Sequence, residues 1–485
     1  MLGTPRPQPR WREGSLKIRS GSFALLLVPF AAAHSQQSAI DSVDHFVTSE
    51  MKREQVPGLS LAVIRDGRVL LRRGYGYANL ELQVPASDST IYQSGSLGKQ
   101  FTAAAIAILA EQGRLKLDDP VVKWLPEGKR VWSRVTVRHL LTHTSGVAEY
   151  TDSTFDYRKD YTEDQLVKFA ASRSLDFAPG DRWSYSNTGY LLLGVLIHRL
   201  TGRFYGEVLH DLIFAPVGMK TTRIISESDL VPNRADGYQL GKKGVGNQDW
   251  VAPSLNTTAD GSLYFSVDDL IAWSRSLDAR KLPDSTVLQQ AWNPVRLNDG
   301  GLYPYGFGWD LTPQRGHVRI GHTGSWQGFK TALYRYPEFK LTVIALANLD
   351  QAEPGLIAVA VAGILEPALT PPYGLESALS GPTPPKSAEQ MLRAAAQDAD
   401  PPGLTPGLRR FLSPASKREL KRTLAPVRSW SALGCDDLSS LRLSWLDSPI
   451  ARACYARGSG QEDRVLATVY LAPEGQLAFF DVSQY

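Results

Sequence analysis

The stretch Ser96-Leu97-Gly98-Lys99-Gln100-Phe101-Thr102-Ala103-Ala104-Ala105-Ile106-Ala107-Ile108-Leu109 carries a structural pattern and a chemical one together. Phe101, Ala104, Ala105, Ile108 and Leu109 recur at helical spacing and Gly113 supplies a stop, which predicts a helix over 96–112. An i,i+3 spacing puts Ser96 and Lys99 on one face of that helix, within reach of each other. A serine hydroxyl is a weak nucleophile until a base stands beside it. A lysine withdrawn from water loses basicity and can accept the serine proton. Four residues with two free positions also fit a helix-capping serine followed by a surface lysine, so the rest of the chain decides the weight of the pattern.

Upstream, 37–55 reads as an amphipathic helix, with Ile40, Val43, Phe46 and Val47 on one face. Two apolar runs, Leu59–Ile64 and Val69–Leu71, flank Asp66-Gly67 and predict a β-hairpin. Helices and loops follow to about residue 275. Strands return at Val318–His322, Thr331–Tyr336 and Leu341–Asn348, the last apolar enough to be buried on both faces, and a helix near Leu356–Leu365 closes the region. Strands at both ends with helices between them predict an α+β domain whose antiparallel sheet is assembled from both ends and packed against a helical region.

Two further segments bear on Ser96 and Lys99. Pro179–Tyr190 contains Tyr185-Ser186-Asn187 in a turn-prone loop ahead of an apolar helix, and alternate residues of an extended loop face one side. Gly321-His322-Thr323-Gly324-Ser325 ends a strand and begins a turn. S-x-x-K, then Y-x-N, then H-x-G, in this order, resemble the serine β-lactamase and penicillin-binding-protein superfamily. The likeness is to its class C β-lactamase-like branch of D-Ala-D-Ala carboxypeptidases, D-aminopeptidases and esterases. It extends to Val56-Pro57-Gly58, Gly74–Ala78, Val137–Gly146, Pro216–Met219 and Tyr305–Trp309, over roughly residues 40–366.

The resemblance implies that Ser96 attacks an acyl carbon and forms an acyl-enzyme, with Lys99 and Tyr185 sharing the base role. It implies that Asn187 binds a substrate amide and that the backbone N–H groups of Ser96 and Ser325 form an oxyanion hole. His322, Thr323, Gly324, Ser325 and Trp326 are then the expected substrate-binding strand, and Trp326 the expected aromatic contact. Where β-lactamases carry lysine in the third box, this chain has His322, which is mostly neutral near pH 7. That departure favours an ester or a D-amino-acid amide over a penicillin as substrate. Loops at 145–178 and 225–262 are expected to line the pocket.

Other chemistries have less support. No G-x-S-x-G occurs, which argues against an α/β-hydrolase elbow. A non-catalytic protein that binds cell-wall peptides or β-lactams would use the same cleft, but the chain retains Lys99, Tyr185 and Asn187. His139 and His143 stand at i,i+4, yet without a glutamate after the first histidine they do not make a zinc signature; no metal and no cofactor are expected. Partners are expected to be small-molecule or peptide substrates, with a cell-wall origin as one source.

The net charge of +4 is concentrated at the start: residues 1–35 hold Arg6, Arg10, Arg12, Lys17 and Arg19 against Glu13, and without them 48 basic face 48 acidic residues. A neutral remainder has no electrostatic footprint for nucleic acid. The basic flank, the apolar run Phe23–Ala33 and Ala33-His34-Ser35 predict a signal peptide over 1–35, hence a secreted or periplasmic protein. Eleven apolar residues fall short of the roughly 20 needed to span a bilayer, so no membrane span is expected after cleavage. Residues 36–366 form the predicted hydrolase domain, 367–407 a proline-rich linker, and 408–485 a small α+β domain. In the last, Ala415–Leu424 reads as a helix and 440–447, 451–457, 464–472 and 476–482 as strands. Its Cys435 and Cys454 are the chain's only cysteines and, in an oxidising compartment, pair most simply as one disulfide.

Overall fold

The computed structural model describes residues 28–151, 155–226, 228–279, 286–370, 387–396, 403–460 and 464–484. Most of the expected signal segment therefore lies outside the described residues. The helix expected from residue 37 is longer: α1 runs from Val28 to Glu54, through the expected cleavage point.

The hairpin forms as the Asp-Gly pair requires. Strands β1 (Gly58–Arg65) and β2 (Arg68–Asn79) join through Asp66 and Gly67, whose φ values of 51° and 74° are both left-handed, as in a primed turn. With β3 (Val84–Pro85), β4 (Ile320–Trp326), β5 (Phe329–Tyr336) and β6 (Leu341–Ala347) they make one six-stranded antiparallel sheet in the order β4-β5-β6-β1-β2-β3. The first and last strands of the domain meet at its centre, with Leu59 opposite Ala347 and Val63 opposite Val343.

Both faces of this centre are covered, and the strand period of two sorts the side chains. Leu59, Leu61 and Val63 with Val343 and Ala345 pack toward α1 and toward α5 (Pro354–Leu365). Ala62, Ile64, Ile344 and Leu346 pack toward the helical region. There α2 (Lys99–Glu111) is buried from Lys99 to Leu109, and Phe101 meets Phe214, Phe265 and Trp273 at ring distances of 5.5, 6.4 and 4.7 Å. Helices α3 (Asn187–Thr201) and α4 (Val267–Asp278) complete the layer. A helix with so little polar surface is held by its surroundings, which fixes the position of its first residue, Lys99.

The C-terminal unit combines α6 (Ser387–Ala395), α7 (Pro406–Phe411) and α8 (Pro414–Leu424) with an antiparallel sheet in the order β7-β8-β9-β10. Its strands are β7 (Ser429–Asp437), β8 (Arg452–Ser459), β9 (Arg464–Leu471) and β10 (Leu477–Gln484). Two expectations need correction. Leu392 and Ala395 are fully buried in this second core, so its chain begins inside the segment read as linker. The expected strand at 440–447 is instead a turn and a two-residue bridge, because left-handed Arg442, Leu446 and Asp447 bend the chain. The first strand is β7, largely exposed and poor in alternating apolar residues. Cys435 and Cys454 stand directly opposite on β7 and β8 and form a disulfide.

The two units touch along a defined seam. Arg315 gives a forked pair of hydrogen bonds to the Asp436 carboxylate, and Tyr303 stacks on Phe411 with ring centroids 5.4 Å apart. Among the described residues no helix is long and apolar enough to cross a membrane.

Candidate active site

A short 3₁₀ turn, Gly95–Gly98, leads into α2 and carries Ser96, half-buried, just ahead of the buried helix. Lys99 is fully buried, and its Nζ touches three oxygens: Ser96 Oγ at 2.9 Å, Asn187 Oδ1 at 2.9 Å and the Asp260 carbonyl at 2.6 Å. Burial lowers its pKa to about 8, against the opposing charges of Asp260 and Glu149. Asn187 Oδ1 and the Asp260 carbonyl can only accept. A neutral Lys99 amine therefore spends its two protons on them and turns its lone pair to the Ser96 hydroxyl.

Tyr185 and Asn187 reach the same place because Ser186 between them is extended, with φ −142° and ψ 113°, and caps α3 through its hydroxyl. The Tyr185 ring lies 5.0 Å from Lys99 Nζ. Its hydroxyl is buried without a well-formed hydrogen bond. Burial drives its pKa far above the usual phenol value, with Asp260 and Glu149 adding to the rise and only the Ser96 hydroxyl opposing it. Glu149 accepts a 2.6 Å bond from the Asn187 backbone N–H at the start of α3.

The third segment is β4, an edge strand of the sheet. It approaches the Ser96 turn closely because glycine faces backbone on both sides. A Cβ on Gly95, whose φ is +50°, would lie 2.3 Å from Ser325 N, and one on Gly324 would lie 2.0 Å from the Ser94 carbonyl. The Thr331 hydroxyl bonds the same Ser94 carbonyl at 2.7 Å. This packing brings the Ser325 N–H beside Ser96, and Ser96, Tyr185, Thr323, Gly324 and Ser325 line one cleft of about 270 Å³.

His322 and Trp326 are both held by hydrogen bonds within the protein. His322 is buried and both ring nitrogens are used within the protein. Ser186 N–H donates to His143 Nδ1 at 3.1 Å, so His143 carries its proton on Nε2 and donates it to the Tyr305 hydroxyl at 3.2 Å. Tyr305 in turn donates to His322 Nε2 at 2.9 Å, and His322 Nδ1–H donates to the Thr323 carbonyl at 2.5 Å. Burial keeps both rings neutral, with the His322 pKa near 4. His322 thus stands as a neutral ring with both nitrogens filled from within the protein. Trp326 is half-buried at the strand end and donates from Nε1 to Asn256 Oδ1 at 2.9 Å.

The other candidate ligands have structural work. His139 accepts the Thr136 N–H within its own helix cap, and His143 belongs to the relay. Among the described residues no group of three His, Cys, Asp or Glu side chains could hold a metal. Sequence reading missed Glu149, Asp260, Tyr305 and His143 as neighbours of the site. Glu149 and Asp260 do fall in the two loop regions expected at the pocket, but their ranges alone did not single them out.

Known proteins place the chain in a family. The profile of the Beta-lactamase family matches residues 43–364. Penicillin-binding protein 4* of Bacillus subtilis strain 168 is 33% identical over 319 residues, 62% of this chain and 70% of that protein. A D-aminopeptidase of Gluconobacter oxydans is 32% identical over 336 residues, 67% of this chain and 62% of that protein. The octameric penicillin-binding protein homologue from Pyrococcus abyssi superposes with a TM-score of 0.62 at 26% identity, covering 92% of this chain and 90% of that one. With its family profile spanning most of the chain, this protein belongs to the Beta-lactamase family and is a serine hydrolase of that family.

Proposed function

We propose that the protein is an exported hydrolase that cleaves an ester or amide bond through an acyl-Ser96 intermediate, on substrates of the D-amino-acid peptidase or esterase type. The observation that carries this reading is Lys99 Nζ, buried and 2.9 Å from Ser96 Oγ with its other two contacts restricted to acceptors. Neutral Lys99 takes the Ser96 proton as Oγ bonds to the acyl carbon, and the carbonyl oxygen becomes an oxyanion held by the Ser96 and Ser325 N–H groups. Tyr185, whose phenol stays protonated, passes its proton to the departing nitrogen or oxygen and regains one from Lys99. Water then attacks the acyl carbon along the reverse proton route and frees Ser96. Asn187, its oxygen committed to Lys99, turns its NH₂ end to a substrate carbonyl.

The D-aminopeptidase similarity supports an amide substrate, and the buried neutral His322 supports one without a carboxylate held at the third box. Export rests on the N-terminal charge and apolar pattern, and sequencing of the mature N-terminus tests it. For the activity, we expect wild type to release nitroaniline from D-alanyl p-nitroanilide faster than from the L-isomer, to leave penicillin G intact, and to lose all turnover in Ser96→Ala. Faster penicillin loss than D-alanyl cleavage overturns the substrate reading. Ligand binding with no turnover on D-amino-acid amides or p-nitrophenyl esters favours a binding protein instead.

A further inference from the structure

The Ser96 cleft does not end at β4. Thr323, Glu353 and Gly355 line it and also line a second cavity of about 270 Å³. One wall of that chamber comes from the hydrolase unit, through Arg319 and Tyr334, and the other from the C-terminal unit, through Tyr455, Thr468, Tyr470 and Asp481. Gly355, at the start of α5, stands between the two cavities. A Cβ there would lie 3.2 Å from the Thr323 methyl and 3.0 Å from the Tyr334 hydroxyl, so glycine lets the start of α5 lie this close to β4 and β5.

Direction follows from the reaction. Tyr185 hands its proton to the leaving group, and it lines the same cleft as Thr323, Glu353 and Gly355. The opposite end of β4, at Trp326, is tied to Asn256. The departing group therefore leaves past Thr323, toward Glu353 and the chamber.

The charges in that direction are unbalanced. Arg315 is committed to Asp436, and Arg319 gives Nη2 to Asp310 at 3.2 Å while its guanidinium lies over the Tyr334 ring. Among the described residues neither the Glu353 nor the Asp481 carboxylate has an ion-pair partner. Lys330, on the Ser96 side, is the cation that acts on Glu353, opposed by Glu54 behind it. Burial raises the Glu353 pKa to about 7, which a cation beside it would relieve; Asp481 is solvent-exposed, and Arg319 is the cation that faces it.

We infer that this chamber receives the leaving group, and that Glu353 and Asp481 make it select a departing group with a protonated amine over one with a carboxylate. The inference rests on the acyl-Ser96 reading above and adds the substrate class: peptides or amides whose departing part is basic. It also gives the C-terminal unit a role as one wall of the specificity site.

The test uses three substrates with one D-alanyl acyl part: D-Ala-D-Ala, D-Ala-D-alaninamide and the monoamide of D-alanine with 1,4-diaminobutane. Binding to full-length Ser96→Ala, read by calorimetry, is expected to rank the diaminobutane amide above D-Ala-D-alaninamide above D-Ala-D-Ala, spanning about tenfold or more. Glu353→Gln and Asp481→Asn, each in the Ser96→Ala background and checked for folding by thermal melts, are each expected to narrow that span. Equal binding of the three, tightest binding of D-Ala-D-Ala, or an unchanged span in both folded variants overturns the inference. If wild type hydrolyses none of the three while the binding order holds, the catalytic reading fails and the chamber's preference stands.

Discussion

If neutral Lys99 is the base that activates Ser96, acylation must follow its titration. With a pKa of about 8, roughly 1% of Lys99 is neutral at pH 6, about 10% at pH 7 and half at pH 8. The acylation rate should therefore climb about 50-fold from pH 6 to pH 8 and level off above pH 9. A Tyr185 phenolate as base gives another curve, because burial holds that phenol protonated well past pH 10 and the limb would keep rising there. The burst of p-nitrophenol from p-nitrophenyl acetate, corrected for spontaneous hydrolysis, reads this step apart from deacylation. Asp260→Asn adds a check on the sign: the Asp260 charge favours the ammonium form of Lys99, so its removal should move the limb to lower pH. A rate independent of pH between 6 and 8, a limb centred above pH 10, or a shift to higher pH in Asp260→Asn would refute the assignment.

Three other substitutions probe the frame around the site. Gly95→Ala puts a Cβ 2.3 Å from Ser325 N at a left-handed φ, so kcat should fall by about 100-fold or more through loss of an oxyanion donor, with the fold retained in thermal melts; near-normal kcat would remove Ser325 N–H from the mechanism. Tyr305→Phe leaves His143 Nε2–H and His322 Nε2 without partners and should lower stability by about 1–3 kcal/mol in urea unfolding, whereas an unchanged midpoint would contradict the relay. Arg315→Ala leaves Asp436 without its cation at the seam between the units, with the Tyr455 hydroxyl still bonded to it, so limited proteolysis should separate them faster than in wild type, and an equal rate would show that the pair holds nothing.

What could be read from sequence was what local pattern encodes. Asp66-Gly67 dictates a primed turn, the unbroken Leu341–Ala347 run dictates a strand buried on both faces, and Ser96 with Lys99 needs only one helical turn to meet. The meeting of those two with Tyr185 and Asn187 was legible only through the family pattern, since no periodicity specifies contacts between segments some ninety residues apart. The contacts of His322 were illegible for the same reason: that its ring meets Tyr305 depends on two distant partners, His143 and Tyr305. Glu149 and Asp260 act through a backbone N–H and a backbone carbonyl as much as through their charge, and residue type gives no sign of that. In the C-terminal unit, β7 escaped notice because an exposed strand lacks apolar alternation, and α6 because the neighbouring prolines masked Leu392 and Ala395.

The central claim is that Ser96 is the nucleophile. Wild type and Ser96→Ala should be mixed with p-nitrophenyl acetate, quenched in acid within the burst, digested and mass-analysed. The account predicts one added acetyl group on the wild-type peptide that contains Ser96, and neither adduct nor turnover above background in Ser96→Ala. An acetyl group on any other residue that turns over, or full hydrolysis by Ser96→Ala, would contradict it.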